Sequence, residues 1–259
     1  MTPTAQAGLS VSPARVVLQA KPEQTRVGFF ALANRGDAPL DVTVEAEDWR
    51  EGITGARGRV DWLTVKPTKL RLRPGKSAKV KYVVRVPNTA SGELRTQVFF
   101  TTRETAEGIV SLRSRLGAIV YVGIEGTEQI EAAITTLDAT YTASTPGIAQ
   151  PDQLDVAIGI QNRGNAHIVP EGEVGLRDED GQSVATISFP AGWGLLPNQQ
   201  ETYRATGHGI HLKPGQYTVD VTVHCGSDLH HPTTVTKTLK AEVTQEGTWR
   251  FLEPAPASP

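Results

Sequence analysis

Two stretches of this chain read alike. Asn34-Arg35-Gly36-Asp37-Ala38 and Asn162-Arg163-Gly164-Asn165-Ala166 start 128 residues apart. Each closes a run in which apolar and polar residues alternate: Val27, Phe29 and Ala31 before the first copy, Leu154, Val156, Ile158 and Ile160 before the second. A period of two belongs to a half-buried strand. Asn turns a chain by bonding its local backbone, and Gly accepts the positive φ that many turns demand. In each half a second turn follows some 35–40 residues later, Leu72-Arg73-Pro74-Gly75 and then Leu196-Pro197-Asn198. The repetition predicts one strand-and-turn module written twice.

The rest of the chain agrees. "LSVSPARVVLQA" reads as one strand, and Leu40, Val42, Val44 and Ala46 share one face of another. "KLRLRPGKSAKVKYVVRVP" reads as a hairpin about Pro74-Gly75, and "EGEVGLRDEDGQSVATISFP" as a hairpin about Asp180-Gly181. No stretch carries a convincing helical period. The expected fold class is all-β, two tandem immunoglobulin-like antiparallel β-sandwiches. The first core is expected to hold Phe29, Val42, Val44, Trp49, Tyr82 and Val98, and the second Val156, Ile158, Val219 and Val221.

Charge marks the boundary. Residues 1–125 carry 19 Lys and Arg against 12 Asp and Glu, a balance of +7, and residues 126–259 carry 7 against 16, a balance of −9. The expected organisation is a signal-peptide remnant or flexible tail over 1–8 and a first sandwich over 9–125. A linker and first-strand region follows over 126–151, with "TASTPGIAQPDQ" its loosest part. A second sandwich over 152–247 and a flexible tail over 248–259 complete the chain. "TPTAQA" before Gly8 ends in Ala-x-Ala, the small-residue pattern left of a signal-peptidase cut, which points to export. No apolar run approaches the ~20 residues of a transmembrane helix. The single Cys225 excludes an internal disulfide framework.

Residues 9–122 resemble the N-terminal domain of the PapD-like periplasmic pilus chaperones. Four segments carry the resemblance: "PARVVLQA", "ALANRGDAPLDVTVEAEDW", "LTVKPTKLRLRPGKSAKVKYVVRV" and "SGELRTQVFFTTRE". Residues 152–224 look like a generic bacterial immunoglobulin-like module of the cell envelope. The resemblance implies a chaperone in which a strand Arg and a Lys anchor the C-terminal carboxylate of a pilus subunit. The Arg falls on Arg15. The stretch "RSRLGAIVYV", where the Lys would stand, has none, so Arg113 or Arg115 would supply that charge. The same strand would be offered to the subunit, with Val110, Leu112, Leu116 and Ala118 as its apolar row and Ser111, Arg113 and Arg115 interrupting it.

Other chemistry is weaker on the page. There is no Gly-x-Ser-x-Gly, no His-Glu-x-x-His and no phosphate-cradling Gly loop, so catalysis is not expected. Glu47-Asp48 and Asp178-Glu179-Asp180 read as strand-end carboxylates. His208, His211, His224, Cys225, Asp228, His230 and His231 offer zinc donors at no established spacing, and neighbours along a strand point to opposite faces. Arg35-Gly36-Asp37 is a coincidental tripeptide, explained by its turn. Lys69, Arg71 and Arg73 alternate with leucines, and Lys79 and Lys81 continue the pattern after the Pro-Gly turn. A hairpin would put these cations on one face. Aromatic stacking residues are absent there, which excludes nucleic acid.

The expected function is non-catalytic: a chaperone-like protein of the periplasm or cell envelope, exported, with no cofactor and no metal. It would bind extended segments of a secreted or pilus-type subunit by β-strand addition. The alternatives are a structural or adhesive envelope module that binds an anionic polymer or protein through the basic hairpin, and a metal protein or enzyme built on the His-rich loop.

Overall fold

A computed structural model describes residues 8–48, 60–105, 111–144, 151–192, 194–227 and 230–252. The described residues form no helix. The chain divides into two compact units, Met1–Glu128 and Gln129–Pro259.

The first unit contains β1 (Leu9–Ser12), β2 (Arg15–Ala20), β3 (Thr25–Asn34), β4 (Leu40–Asp48), β5 (Leu63–Lys66), β6 (Lys69–Leu72), β7 (Ser77–Arg85), β8 (Glu93–Thr105) and β9 (Ser111–Ile124). They make a four-stranded sheet, β1-β3-β7-β5, and a five-stranded sheet, β2-β9-β8-β4-β6. This is the immunoglobulin pattern, and two segments are shared between the sheets. The stretch read as one opening strand breaks at Pro13: β1 pairs antiparallel with β3, and β2 pairs parallel with β9. A second segment breaks at Pro67, where β5 stays with β7 and β6 joins β4. Proline has no N–H to give to a ladder, so a strand that must leave one sheet for the other does so there.

The second break corrects the expected hairpin. β6 and β7 flank the Pro74-Gly75 turn but pair with different strands in different sheets. The turn itself is as read. Lys76 N donates to Arg73 O at 3.0 Å, and Gly75 takes φ +69°. In the second unit Gln199 N donates to Leu196 O at 3.1 Å, and Asn198 takes φ +66°.

The repeated Asn residues bind these turns. Asn34 is buried, and its Oδ1 accepts from Gly36 N at 2.9 Å while its Nδ2 donates to Ala38 O at 2.8 Å and Leu72 O at 3.1 Å. Asn162 does the same with Gly164 N at 2.9 Å, Ala166 O at 2.8 Å and Leu195 O at 2.8 Å. Each Asn backbone also exchanges hydrogen bonds with its turn: Asn34 with Lys76 O and Gly75 N, Asn162 with Gln199 O and Asn198 N. The glycines serve a different purpose from the one expected. Neither Gly36 nor Gly164 has positive φ. A Cβ on Gly164 would lie 2.1 Å from Gln129 O, so that Gly is required by close backbone approach.

The inward face of β3 also differs from expectation. Gly28, Phe30, Leu32 and Asn34 share the core-facing parity, with Phe30 and Leu32 fully buried, and Phe29 is 51% exposed. Asn34 must point inward to reach Leu72 O, and that fixes the parity of the whole strand. Gly28 fits the same register, since a Cβ there would meet the Tyr82 hydroxyl at 2.1 Å. Val42, Val44, Tyr82 and Val98 lie in the first core as expected. Trp49 lies outside the described residues.

The second unit contains β10 (Ala132–Thr142), β11 (Gln153–Asn162), β12 (Val169–Arg177), β13 (Ser183–Phe189), β14 (Gln200–His208), β15 (Gly215–Ser227), β16 (His230–Val243) and β17 (Trp249–Leu252). Its sheets are β10-β11-β14 and β13-β12-β15-β16-β17. Val156, Ile158, Val219 and Val221 are in its core. β12 and β13 form the expected hairpin, in which Gly181 has φ +78° and Asp178 Oδ1 accepts from Gln182 N. β10 and β11 pair antiparallel, so "TASTPGIAQPDQ" connects two strands of one sheet. Residues 249–252, read as the start of a tail, pair with β16 instead, because Trp249 packs in the core beside Tyr217.

Candidate functional site

The site begins with unequal strand lengths. β9 is fourteen residues long, and β8 pairs with it from Ser111 to Gly123. On the other side β2 reaches only Ile119–Ile124. Among the described residues no strand pairs with Ser111–Ala118 on that side. This leaves about 26 Å of open sheet edge at ~3.3 Å per residue. An open edge presents a row of backbone donors and acceptors to any extended chain that approaches.

Arg15 stands where that edge ends. It is the first residue of β2, opposite Ile119, and Ile119 N donates to Ala14 O at 2.9 Å. Its guanidinium is exposed and lies over the Tyr121 ring at 5.2 Å from the centroid. Sequence reading missed Tyr121. It stands on the outward parity of β9 yet is only 3% exposed, hidden in the uniformly apolar run "AIVYVGI".

Arg115 is engaged elsewhere. Its guanidinium pairs with Glu47 and stacks on Phe99, 3.5 Å from the ring centroid. It lies four residues before the partner of Arg15, roughly 13 Å along the strand. The structure therefore does not bring Arg15 and Arg115 together at one anchor. Leu112 and Arg113 occupy β9 opposite Glu104 and Arg103. Val110 lies outside the described residues. Leu116 and Ser114 are half-buried and Ala118 is buried, on the parity that continues into Val120 and Val122.

The basic strands do not form one patch. Lys69 and Arg71 stand on β6, where Arg71 lies 3.8 Å from Asp41, and Arg73 is in the turn. Lys79 and Lys81 stand on β7 in the other sheet. Their apolar neighbours Leu72 and Val80 both face the shared core, so the two sets of cations point away from each other across the sandwich. The basic-hairpin site is corrected on that ground.

Two of the carboxylate candidates have structural partners. Glu47 takes Arg115, and Glu179 accepts the Gln216 N–H at 2.8 Å. In the His-rich region two imidazoles have separate partners. His211 Nδ1 lies 2.8 Å from Asp152 Oδ2, and His224 Nδ1 lies 3.1 Å from Thr234 Oγ1. Cys225 points into the second core, where burial pushes its thiol up to about 11. Asp228 lies outside the described residues. Among the described residues, no group of three or more His, Cys, Asp or Glu is placed to hold a metal ion, and no helix is long and apolar enough to cross a membrane.

No protein-family model matches this chain, and no curated protein matches it. Solved structures do. The chain is similar to the class 5 fimbriae chaperone CfaA, with 12% identity over 89% of this chain and 98% of that one, TM-score 0.48. It is similar to a chain of a chaperone–tip adhesin complex of CFA/I fimbriae biogenesis, with 14% identity over 89% and 99%, TM-score 0.48. It is also similar to the CupB2 chaperone of Pseudomonas aeruginosa, with 13% identity over 88% and 98%, TM-score 0.44.

Proposed function

We propose that this chain is a chaperone-like binding protein that captures an extended segment of a partner by adding it to the open edge of β9. The observation that carries the reading is the shortness of β2 against β9. A partner strand laid along Ser111–Ala118 occupies the sheet position that β2 takes from Ile119 onward. If it runs parallel to β9, as β2 does, its C-terminus comes to rest against the start of β2. Arg15 stands at that meeting point, and a guanidinium binds a terminal carboxylate through paired charge-assisted hydrogen bonds. Main-chain bonds along the edge supply affinity, and Arg15 supplies register. The working partner is a secreted or pilus-type subunit and the working place is the periplasm or cell envelope.

The test uses a synthetic peptide of alternating Val and Thr with a free C-terminal carboxylate, and the same peptide as its C-terminal amide. Wild type is expected to bind the acid at least tenfold more tightly than the amide. Arg15→Gln is expected to abolish that difference while leaving amide binding unchanged. Amide protection in Ser111–Ala118 on peptide addition, read by hydrogen exchange, locates the added strand. Equal binding of acid and amide to wild type would remove Arg15 from the reading, and absence of protection in β9 would remove the edge.

A further inference from the structure

The four-stranded sheet of the first unit carries a feature that strand addition does not use. Its outward face is apolar at the centre and basic around it. Val27 and Phe29 are 53% and 51% exposed, the two most exposed large hydrophobic side chains among the described residues. Val83 is half-buried opposite Val27, and Lys81 lies opposite Phe29. Lys79 reaches over the Phe29 ring at 5.8 Å from its centroid. The outward positions of β1, β3, β5 and β7 hold no Asp or Glu.

The cations on this face are unneutralised by it. Lys66 stands directly opposite Lys81 in the β5–β7 ladder, a like-charge cross-strand pair that costs stability unless an anion lies between. Thr64, Lys66, Lys81, Val83 and Arg85 line a depression of about 210 Å³. It is large enough for a phosphate group, with three cations and a hydroxyl around it, and it opens beside the exposed Val27 and Phe29.

We infer that this face is a docking surface for an anionic phospholipid bilayer. A headgroup phosphate sits among Lys66, Lys81 and Arg85, and Phe29 and Val27 enter the boundary between headgroups and acyl chains. The shape favours lipid over other anions. β7, which carries Lys81 and Val83 of the depression, is paired on both sides at those residues, so its face offers side chains and no backbone edge to an extended acidic peptide. It also offers no Asn, Asp, Gln or Glu of the kind that reads the hydroxyls of an acidic polysaccharide. Exposed apolar side chains beside lysines suit a surface that is at once anionic and oily. The face lies on the sheet opposite β9, so vesicle binding and strand addition are measured separately.

The experiment is flotation of the full chain with vesicles of phosphatidylglycerol in phosphatidylcholine, against vesicles of phosphatidylcholine alone. Binding is expected to the anionic vesicles only and to weaken with added salt. Each cation near an anionic surface strengthens binding about fivefold, so Lys66→Gln with Lys81→Gln is expected to lose about twenty-five-fold. Phe29→Ser, at a half-exposed position outside the core, is expected to lose about threefold to tenfold by the apolar area it withdraws. Unchanged thermal unfolding of the variants shows that the loss is not misfolding. Equal binding to neutral vesicles, no binding to anionic ones at low salt, or full binding by all variants overturns the inference. So does binding to polyglutamate or to inorganic phosphate without any vesicle binding.

Discussion

Asn162→Ala is expected to destabilise the second unit by about 3 kcal/mol, and the figure follows from which partners are left alone. The side chain is fully buried and makes three hydrogen bonds. Two of its partners keep another bond: Gly164 N still donates to Glu131 O at 3.1 Å, and Leu195 O still accepts from Ile168 N at 3.0 Å. Among the described residues no other donor reaches Ala166 O. Leaving that buried carbonyl unsatisfied costs about 2 kcal/mol, and the two doubled bonds add about 0.5 kcal/mol each. For a unit of this size the melting temperature falls by about 10 °C. Asn162→Asp separates this account from a packing effect. It keeps the shape and the Gly164 bond but sets a carboxylate oxygen where an N–H₂ donor faced two carbonyls. It should therefore be worse than alanine at neutral pH, and its deficit should shrink on acidification, since the protonated acid can donate one bond. The assay is urea unfolding of the full chain, with hydrogen exchange on peptides from each unit to identify which one opens. A loss under 1 kcal/mol for Asn162→Ala, or an Asp variant no worse than the Ala variant at pH 7, would refute the reasoning.

Two further expectations concern the second unit. The Cys225 thiol, buried and raised to about 11, should resist a disulfide reagent at pH 8 in the native protein and react at once in urea; rapid native labelling, followed by absorbance, would contradict its placement in the core. The Asp152 carboxyl is held below the ordinary carboxylate range, first by the Ser144 N–H and then by the His211 hydrogen bond and the Ser144 side chain. A depressed folded value contributes stability that is present above the unfolded value of about 4 and is lost as pH falls through the folded one. The acid limb of unfolding should therefore flatten in Asp152→Asn, and an unchanged limb in pH-dependent melting would show that these bonds do not form.

Much of this fold was legible because two constraints act at short range. Period-two alternation picked out β3, β4, β11 and the β12–β13 hairpin, and the Asn-Arg-Gly repeat gave two modules, since the same buried amide does the same work in both. Legibility failed where a segment satisfies two arrangements equally. "VGFFALAN" is apolar on both parities, so alternation alone could not say that Phe30 turns inward and Phe29 outward; the long-range bond from Asn34 to Leu72 decides it. The β6–β7 corner is the same problem between sheets. Leu70, Leu72, Val80 and Tyr82 can all face one core whether the strands share a sheet or lie in opposite ones. What distinguishes the two is Pro67, which ends one ladder, and the Asn34 amide, which holds Leu72 from the far side. The site inherits this ambiguity. Arg15 could be picked out as a cation at a strand start. That β2 begins only opposite Ile119 and leaves the earlier half of β9 without a strand on that side, among the described residues, is a matter of register, set by where Pro13 lets the chain cross between sheets. Register between strands distant in sequence is carried by few residues, and the open edge therefore came into view only with the pairing.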